Sequence, residues 1–148
     1  MMAVDRDLLA KFNFRRTIDR YCDRLGWIIQ DLDDRSAVLR FNAASGTTQT
    51  LFIVGYDTTL EFSVPSALKF DALEDIPGWI STLLLCRNSE YRIGFWCVEK
   101  INHRHVFSVM HNAEINRMDV DYFRQIVLKL IKDCDEFEQV VETALLDA

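Results

Sequence analysis

Hydrophobic residues near the start of the chain recur mostly at intervals of three and four positions, which places them on one face of an α-helix. This stripe consists of Leu8, Phe12, Phe14, Ile18, Tyr21 and Leu25. The pattern predicts an amphipathic helix from about Asp5 to Leu25. Gly26 follows directly, and glycine readily adopts the left-handed conformation that ends a helix.

From Trp27 onward the hydrophobic pattern has a period of two, which is typical of β-strands. Four segments rich in β-branched and aromatic residues are separated by short turn-like stretches, and they span residues 27–32, 36–43, 48–56 and 59–64. Such short connections favour antiparallel neighbours, because a parallel crossover needs a dozen residues or more. The alternation predicts one covered face of the sheet and one wetter face. Pro65 is expected to close this meander, with a loop from there to Asp75.

The middle of the chain predicts a short helix followed by a second hairpin. Asp75 is the expected N-cap of this helix, and Pro77 is tolerated in its first turn. The expected buried side of the helix consists of Trp79, Ile80, Leu83 and Leu84. Two further strand-like segments, 92–99 and 105–112, flank a five-residue connection and predict the hairpin.

The last predicted element is a long helix that begins after Asn116 or Asp119 and runs toward Leu146. Its apolar residues form two series with a spacing of seven, offset by four: Phe123, Leu130, Phe137 and Ala144, and Val127, Cys134 and Val141. Such a heptad-like seam has two interpretations: it packs on the protein's own sheet, or it contacts a second copy of the chain. The spacing alone leaves both interpretations open.

The predicted order of elements is α-β-β-β-β-α-β-β-α, in a single α+β domain that covers residues 1–148. A length of 148 residues suits one domain. Runs of strands flanked by helices are typical of the α+β class. We therefore predict an antiparallel sheet flanked by helices that lie mostly on one of its faces.

The formal net charge of −6 disfavours binding to nucleic acids and anionic membranes, because both carry negative charge. The longest uncharged apolar stretch, residues 79–86, is far shorter than the about 20 residues that span a bilayer. The four cysteines form no C-x-x-C pair, and the first residues lack the hydrophobic core of a signal peptide. We expect a cytoplasmic protein with reduced thiols and with neither a nucleic-acid nor a membrane partner.

All three histidines lie within one stretch of eleven residues, with Cys97 just upstream. His105 and His111 point to the same face of an extended strand but stand about 20 Å apart, too far to share one zinc ion. His103 and His105 could share a metal, and Cys97 could approach His105 across the hairpin. We expect a solvated hairpin tip without a metal. A small-molecule-binding or metal-dependent enzyme that uses residues 97–111 is the alternative.

No sequence motif identifies a catalytic centre. The chain contains neither the nucleophile elbow G-x-S-x-G nor the glycine-rich loops that bind phosphates and dinucleotides. We therefore predict no catalytic residues and no cofactor, and we expect that the protein is not an enzyme.

Two segments resemble a known family, the type III secretion chaperones and YbjN-like bacterial proteins. Residues 78–99 resemble the middle helix of that fold running into its hairpin, and residues 118–142 resemble its closing helix. The resemblance covers most of the chain through the order of its elements. It implies a non-catalytic module that forms a homodimer and binds an extended segment of a protein partner along a hydrophobic surface.

The apolar residues of the predicted meander are the candidates for this surface. An extended partner can form main-chain hydrogen bonds at the edge of a sheet while pockets accept its alternate side chains. The candidate partner-binding residues are Phe52, Val54, Phe62 and Val64.

Overall fold

The computed structural model describes residues 12–146. The helices are α1 (Phe14–Leu25), α2 (Gly78–Asn88) and α3 (Val120–Leu146). The strands are β1 (Ile29–Leu32), β2 (Ser36–Asn42), β3 (Thr48–Gly55), β4 (Thr59–Phe70), β5 (Phe95–Ile101) and β6 (Arg104–Glu114). The predicted order of elements and the α+β class are confirmed. The part of the first predicted helix that precedes residue 12 lies outside the described residues.

All six strands form one antiparallel sheet with the spatial order β1-β2-β3-β4-β6-β5. The turn between β5 and β6 consists of Asn102 and His103, whose φ angles of 50° and 67° are both positive. Two positive φ angles in a two-residue connection define the type I′ turn, whose twist suits a hairpin. The second predicted hairpin is therefore present, with a tighter turn than the expected five-residue connection.

Capping residues mark both ends of α1 and the start of α3. The Asn13 side chain accepts a hydrogen bond from the Arg16 N–H at 3.1 Å, and Gly26 ends α1 with φ at 74°. Asp119 caps α3, because its Oδ1 accepts from the Tyr122 N–H at 2.7 Å. Of the two predicted starts of the closing helix, Asp119 is thus the one that caps it.

The heptad-like seam of α3 packs on the protein's own sheet. Ala144 is half-buried, and the other six residues of the seam are buried: Phe123, Val127, Leu130, Cys134, Phe137 and Val141. The rings of Phe62 and Phe123 lie 5.8 Å apart, and those of Trp96 and Phe137 lie 4.6 Å apart. The first interpretation of the seam therefore holds, and these side chains are not available to a second copy.

Strand β4 and helix α2 depart from their predictions. Pro65 does not close the meander: β4 continues to Phe70, with a register shift between Pro65 and Lys69. A bulge accommodates proline because its extra residues remove the need for a main-chain donor. Asp75 lies in a 3-10 turn, and α2 begins at Gly78 without a side-chain cap.

Only part of the predicted buried side of α2 is buried. Ile80 and Leu84 belong to the core, Leu83 is half-buried and Trp79 is exposed. Across residues 12–146, none of the helices combines the length and the apolar character that crossing a bilayer requires.

Candidate functional site: the open face of the sheet

The two faces of the sheet have different surroundings. On one face, apolar side chains from β2 to β6 join the core beneath the helices: Leu39, Leu51, Ile53, Leu60, Phe62, Val64, Phe107 and Val109. Their neighbours in each strand point the opposite way, because successive side chains alternate. We call this second side the open face, and it includes Val38, Arg40, Thr50, Phe52, Val54, Ser63, Pro65, Val106 and Met110. Val106 and Met110 are buried, but neither belongs to the core cluster beneath the helices.

The open face carries a groove of about 850 Å³. Its apolar lining comes from four different strands and consists of Phe52, Pro65, Ala67, Ile101 and Val106. The register shift of β4 lies directly beside Pro65. Since a bulge bends its strand and increases the local twist, this irregularity shapes the groove.

The four predicted partner-binding residues divide between the two faces. Phe52 is 41% exposed and Val54 is half-buried, both on the open face. Phe62 and Val64 are 0% exposed and belong to the core. The register explains the division, because Phe62 pairs with the core residue Ile53. Of these four side chains, those of Phe52 and Val54 reach the surface in this structure.

Charged side chains surround the groove, and most of them have partners within the protein. The Ser63 hydroxyl donates to Glu99 at 3.4 Å, and Arg104 Nε lies 3.3 Å from an oxygen of Asp71. Three further charged residues line the groove, and these are Arg40, Lys69 and Glu138. Glu138 accepts a hydrogen bond from the side chain of Gln49 at 2.8 Å. Arg40 and Lys69 form no ion pair with any carboxylate of residues 12–146.

One edge of the sheet, strand β5, is only partly covered. The Trp96 N–H donates to Asn88 Oδ1 at 2.6 Å, and Asn88 Nδ2 donates to the Trp96 carbonyl at 3.1 Å. The Asn88 side chain thus satisfies both main-chain groups of Trp96, which point away from β6. Outward-pointing residues alternate along an edge, so the main-chain groups of Val98 and Lys100 also point away from β6. These two residues offer a short edge for an added strand.

The histidine-containing hairpin does not assemble the ligand set considered from the sequence. Cys97 pairs with Ser108, whereas His105 pairs with Lys100, which places the two side chains on opposite faces. His103 lies in the exposed turn. Among the described residues, no group of three His, Cys, Asp or Glu side chains is arranged to hold a metal ion.

The Cys97 thiol is poorly suited to act as a nucleophile. Burial and, to a smaller extent, the nearby carboxylates of Glu99 and Glu61 raise its pKa to about 11. The thiol therefore stays protonated near neutral pH, and the thiolate is the reactive form.

His111 has a structural role between three segments. Its Nδ1 accepts the Gly94 N–H at 3.0 Å, and its Nε2 lies 3.0 Å from the Tyr122 hydroxyl. Since a main-chain N–H can only donate, Nδ1 carries no proton, and the neutral ring donates from Nε2. Burial lowers the pKa of His111, which favours this neutral form.

The fold of six antiparallel strands and three helices is similar to two solved structures, one from a type III secretion complex and one of YbjN. A chain of the heterodimeric complex ExoU-SpcU, from the type III secretion system of Pseudomonas aeruginosa, superposes with a TM-score of 0.57 at 19% identity. That match covers 81% of this chain and 93% of the other. The crystal structure of YbjN from E. coli, a proposed transcription regulator, has a TM-score of 0.58 at 13% identity, covering 82% of this chain and 86% of YbjN.

The resemblance inferred from residues 78–99 and 118–142 is therefore confirmed at the level of the fold. No family model and no curated protein matches the sequence. The structural likeness shows a shared architecture, and function must be argued from the open face itself.

Of the residues that line the groove, the sequence prediction named Phe52, while Val54 lies on the same face outside the lining. Arg40 is far in sequence from Pro65 and Lys69, and all three line one groove only because of the strand order and the bulge of β4. The one available signal was the polar–apolar alternation of β2, which places Arg40 on the same face as Val38.

Proposed function

We propose that the protein is a non-catalytic, chaperone-like interaction module that binds an extended segment of a protein partner across its open face. The observation that carries this proposal is the groove of about 850 Å³ on the side of the sheet opposite the helical core. Its apolar lining consists of Phe52, Pro65, Ala67, Ile101 and Val106. An exposed apolar groove bordered by polar residues is typical of an interaction site.

The polar and apolar lining suits an extended chain. A strand-like segment presents alternate side chains at about 3.3 Å per residue, so one set can contact the groove while the other faces solvent. The open main-chain groups of Val98 and Lys100 lie on the strand that also contributes Glu99 and Ile101 to the groove. A partner that reaches this edge gains main-chain hydrogen bonds. The heterodimeric ExoU-SpcU complex has the same fold in one of its chains, which supports a role in binding another protein.

A non-catalytic role is supported by the separation of reactive groups. Within residues 12–146, Cys97 and His105 lie on opposite faces, and His111 is engaged by Gly94 and Tyr122. All four cysteines are free, which accords with a reducing compartment, and we keep a cytoplasmic location as part of the proposal.

Site-specific photo-crosslinking tests the proposed function. Phe52 is replaced by p-benzoyl-phenylalanine in the full chain, and the protein is irradiated in cells of its native host. Leu128 provides a matched control, because it is an apolar residue of α3 that is 37% exposed, against 41% for Phe52. We expect a discrete crosslinked protein from position 52 and none from position 128. Equal products from both positions, or none from position 52, would overturn the proposal.

Homodimer formation is a second part of the proposal, and the outer side of α2 supports it. Trp79 and Leu85 are exposed on this helix, and Arg87 is the one charged residue among its 11 residues. A helix that is apolar on its outer side as well as its inner side is usually covered on both. The α3 seam cannot serve this purpose, because it is packed on the sheet.

Measurement of the mass in solution tests the dimer. We expect a dimer mass at micromolar concentration for the unchanged protein and a monomer mass for Leu85→Glu, since Leu85 is 68% exposed. Leu128→Glu on α3 should remain dimeric. A monomer mass for the unchanged protein contradicts the proposed dimer and leaves the groove unaffected.

A further inference from the structure

The pairing of β3 with β4 stops in the middle of β3. Phe52 is the first residue of β3 that pairs with β4, and the residues before it pair only with β2. In a continued register Thr50 would face Pro65, and Thr48 would face Ala67. Pro65 has no main-chain N–H to donate, and Ala67 lies within the register shift of β4. The first half of β3 is therefore without a partner strand on its β4 side.

The main-chain groups of Thr48 and Thr50 point toward this missing partner. The Gly55 N–H donates to the Arg35 carbonyl, next to β2, at 2.7 Å, so Gly55 points toward β2. The direction of the main-chain groups alternates along a strand, and β2 and β3 pair without a register shift. The even-numbered residues of β3 therefore point toward β4. Among residues 12–146, no ladder pairs Thr48 or Thr50 on that side.

Open space lies where the partner strand is missing. Residues 47–50 line the groove from the β3 side, and residues 65–67 line it from β4. The same groove is lined by Phe52 on the open face and by Glu138 of α3, which lies on the opposite side of the sheet. A cavity that is lined from both faces extends between the two strands. Since Thr48 is also exposed, the unpaired side of β3 is open to an incoming segment.

The charges of the groove are balanced. Within residues 12–146, the lining residues Arg40 and Lys69 form no ion pair, and neither do Glu99 and Glu138. The groove therefore favours neither sign of charge in an occupant. Its distinctive feature is a set of main-chain groups at every second residue of one strand, which the main chain of another extended segment complements.

We propose that the groove binds an extended polypeptide segment as an added strand on Thr48 and Thr50, recognised by its main chain and not by its charge. This inference rests on the proposed function and adds where and how the partner pairs. Residues opposite each other in neighbouring strands point their side chains to the same face. The partner residues opposite Thr48 and Thr50 therefore face the apolar lining at Phe52 and Pro65, which favours apolar side chains at these positions.

Fluorescence anisotropy with three labelled peptides tests whether charge contributes to binding. Each peptide alternates valine with a second residue, which is glutamate, serine or lysine. At physiological ionic strength we expect all three to bind the full-length protein with dissociation constants that agree within about three-fold. A preference of about ten-fold or more for the glutamate or the lysine peptide would overturn recognition by the main chain.

N-methylation of the valine–serine peptide tests the pairing itself. In the proposed arrangement the valine N–H groups point toward β3, whereas the serine N–H groups point away from it. Methylation of all valine nitrogens should weaken binding at least about ten-fold, and methylation of all serine nitrogens should weaken it less than about three-fold. Equal losses in the two peptides would show that the methyl groups act on the peptide's own conformation, and would overturn the inference.

A proline substitution assigns the pairing to β3. Thr48→Pro removes a main-chain donor that points away from β2, at the first position of the strand, where proline is tolerated. The matched control is Ala44→Pro, in the adjacent turn that the hydrogen bond from the Gly46 N–H to the Ala43 carbonyl closes, at a position that favours proline. We expect Thr48→Pro to weaken binding of the valine–serine peptide at least about ten-fold and Ala44→Pro to leave it unchanged. Equal binding by both variants would contradict pairing at Thr48.

Hydrogen exchange separates the inference from the proposed function and uses the unchanged protein. The bound valine–serine peptide should slow exchange of the Thr48 N–H at least about ten-fold. Protection at Val98 and Lys100 in its place would put the added strand on β5, and would overturn the inference while the proposed function stands. Absence of binding by all three peptides overturns the inference, and only the additional absence of a crosslink at position 52 overturns the proposed function.

Discussion

Strand β3 shows how differently the two faces of the sheet are used. Leu51 and Ile53 are fully buried beneath the helices, whereas Thr50 is half-buried and Phe52 is exposed on the open face. The covered face is mainly apolar, while the open face mixes charged groups, hydroxyls and isolated aromatic or aliphatic groups. Alternate residues of the same strand thus belong either to the core or to the face that we propose for partner binding, and a substitution can change one without the other.

The largest expected contrast is between Phe62→Ala and Phe52→Ala on neighbouring strands. Phe62 is 0% exposed and packs 5.8 Å from Phe123, so its truncation removes buried surface and leaves a cavity. We expect Phe62→Ala to lower the free energy of unfolding by about 3–5 kcal/mol. Phe52→Ala should lower it by less than about 1 kcal/mol, because this ring remains partly in water. Urea denaturation of both variants measures the difference.

Similar losses in the two variants would contradict the assignment of the faces. A large loss for Phe52→Ala would mean that the open face is covered in solution, for example by a second copy. Repeating the measurement at several protein concentrations separates that case, because the stability of a dimer depends on concentration.

Much of the fold was predictable because its signals are local. The period-two pattern of residues 27–64 and the seven-residue spacing of the last helix each record which side of an element is buried. Such periodicities do not state what covers that side. The spacing of the seam from Phe123 to Val141 is therefore compatible with two interpretations, and its packing on the sheet decides between them.

The candidate site was less predictable because it depends on register and strand order. Phe52, Val54, Phe62 and Val64 look equivalent in sequence, yet Phe52 pairs with Ser63 and Phe62 pairs with Ile53. A shift of one residue would exchange the two faces. Likewise, β4 continues through Pro65 because a bulge follows it. A bulge is defined by the pairing of two strands, so the sequence of β4 alone does not reveal it.

An intermediate loss of stability is expected when Gly94, which lies beside Leu130 of α3, is replaced by alanine. The comparison is the same substitution at Gly46, in the turn between β2 and β3. Their φ angles of 92° and 91° are nearly equal, so alanine incurs similar backbone strain at both. A Cβ at Gly94 would lie 3.0 Å from Leu130 Cδ2, whereas nothing lies within 4 Å at Gly46. We expect Gly94→Ala to cost about 2–3 kcal/mol and Gly46→Ala about 1 kcal/mol. Equal losses in thermal or urea unfolding would show that Leu130 moves aside freely.

The smallest expected effect is the contribution of His111, on the covered side of the sheet, to the pH dependence of the free energy of unfolding. Burial lowers its pKa below the ordinary 6.5, so the unfolded chain takes up a proton first as the pH falls. The stability from neutral His111 is therefore fully present above about pH 6.5 and is lost as the pH falls through that value toward the folded pKa. Protonation at Nδ1 also places a proton against the Gly94 N–H, which donates to that atom.

The measurement is the change in urea midpoint between about pH 7.5 and about pH 5.5, on either side of the ordinary histidine pKa. In His111→Gln the amide oxygen can still accept from Gly94 but does not titrate, so the midpoint should fall less than in the unchanged protein. His103→Gln, in the exposed turn, should follow the unchanged protein. Asp133, whose pKa is raised by burial, titrates in all three proteins and cancels in the comparison. If the urea midpoint fell equally in His111→Gln and in the unchanged protein, protonation of His111 would make no contribution to the pH dependence of stability. That result would contradict the prediction.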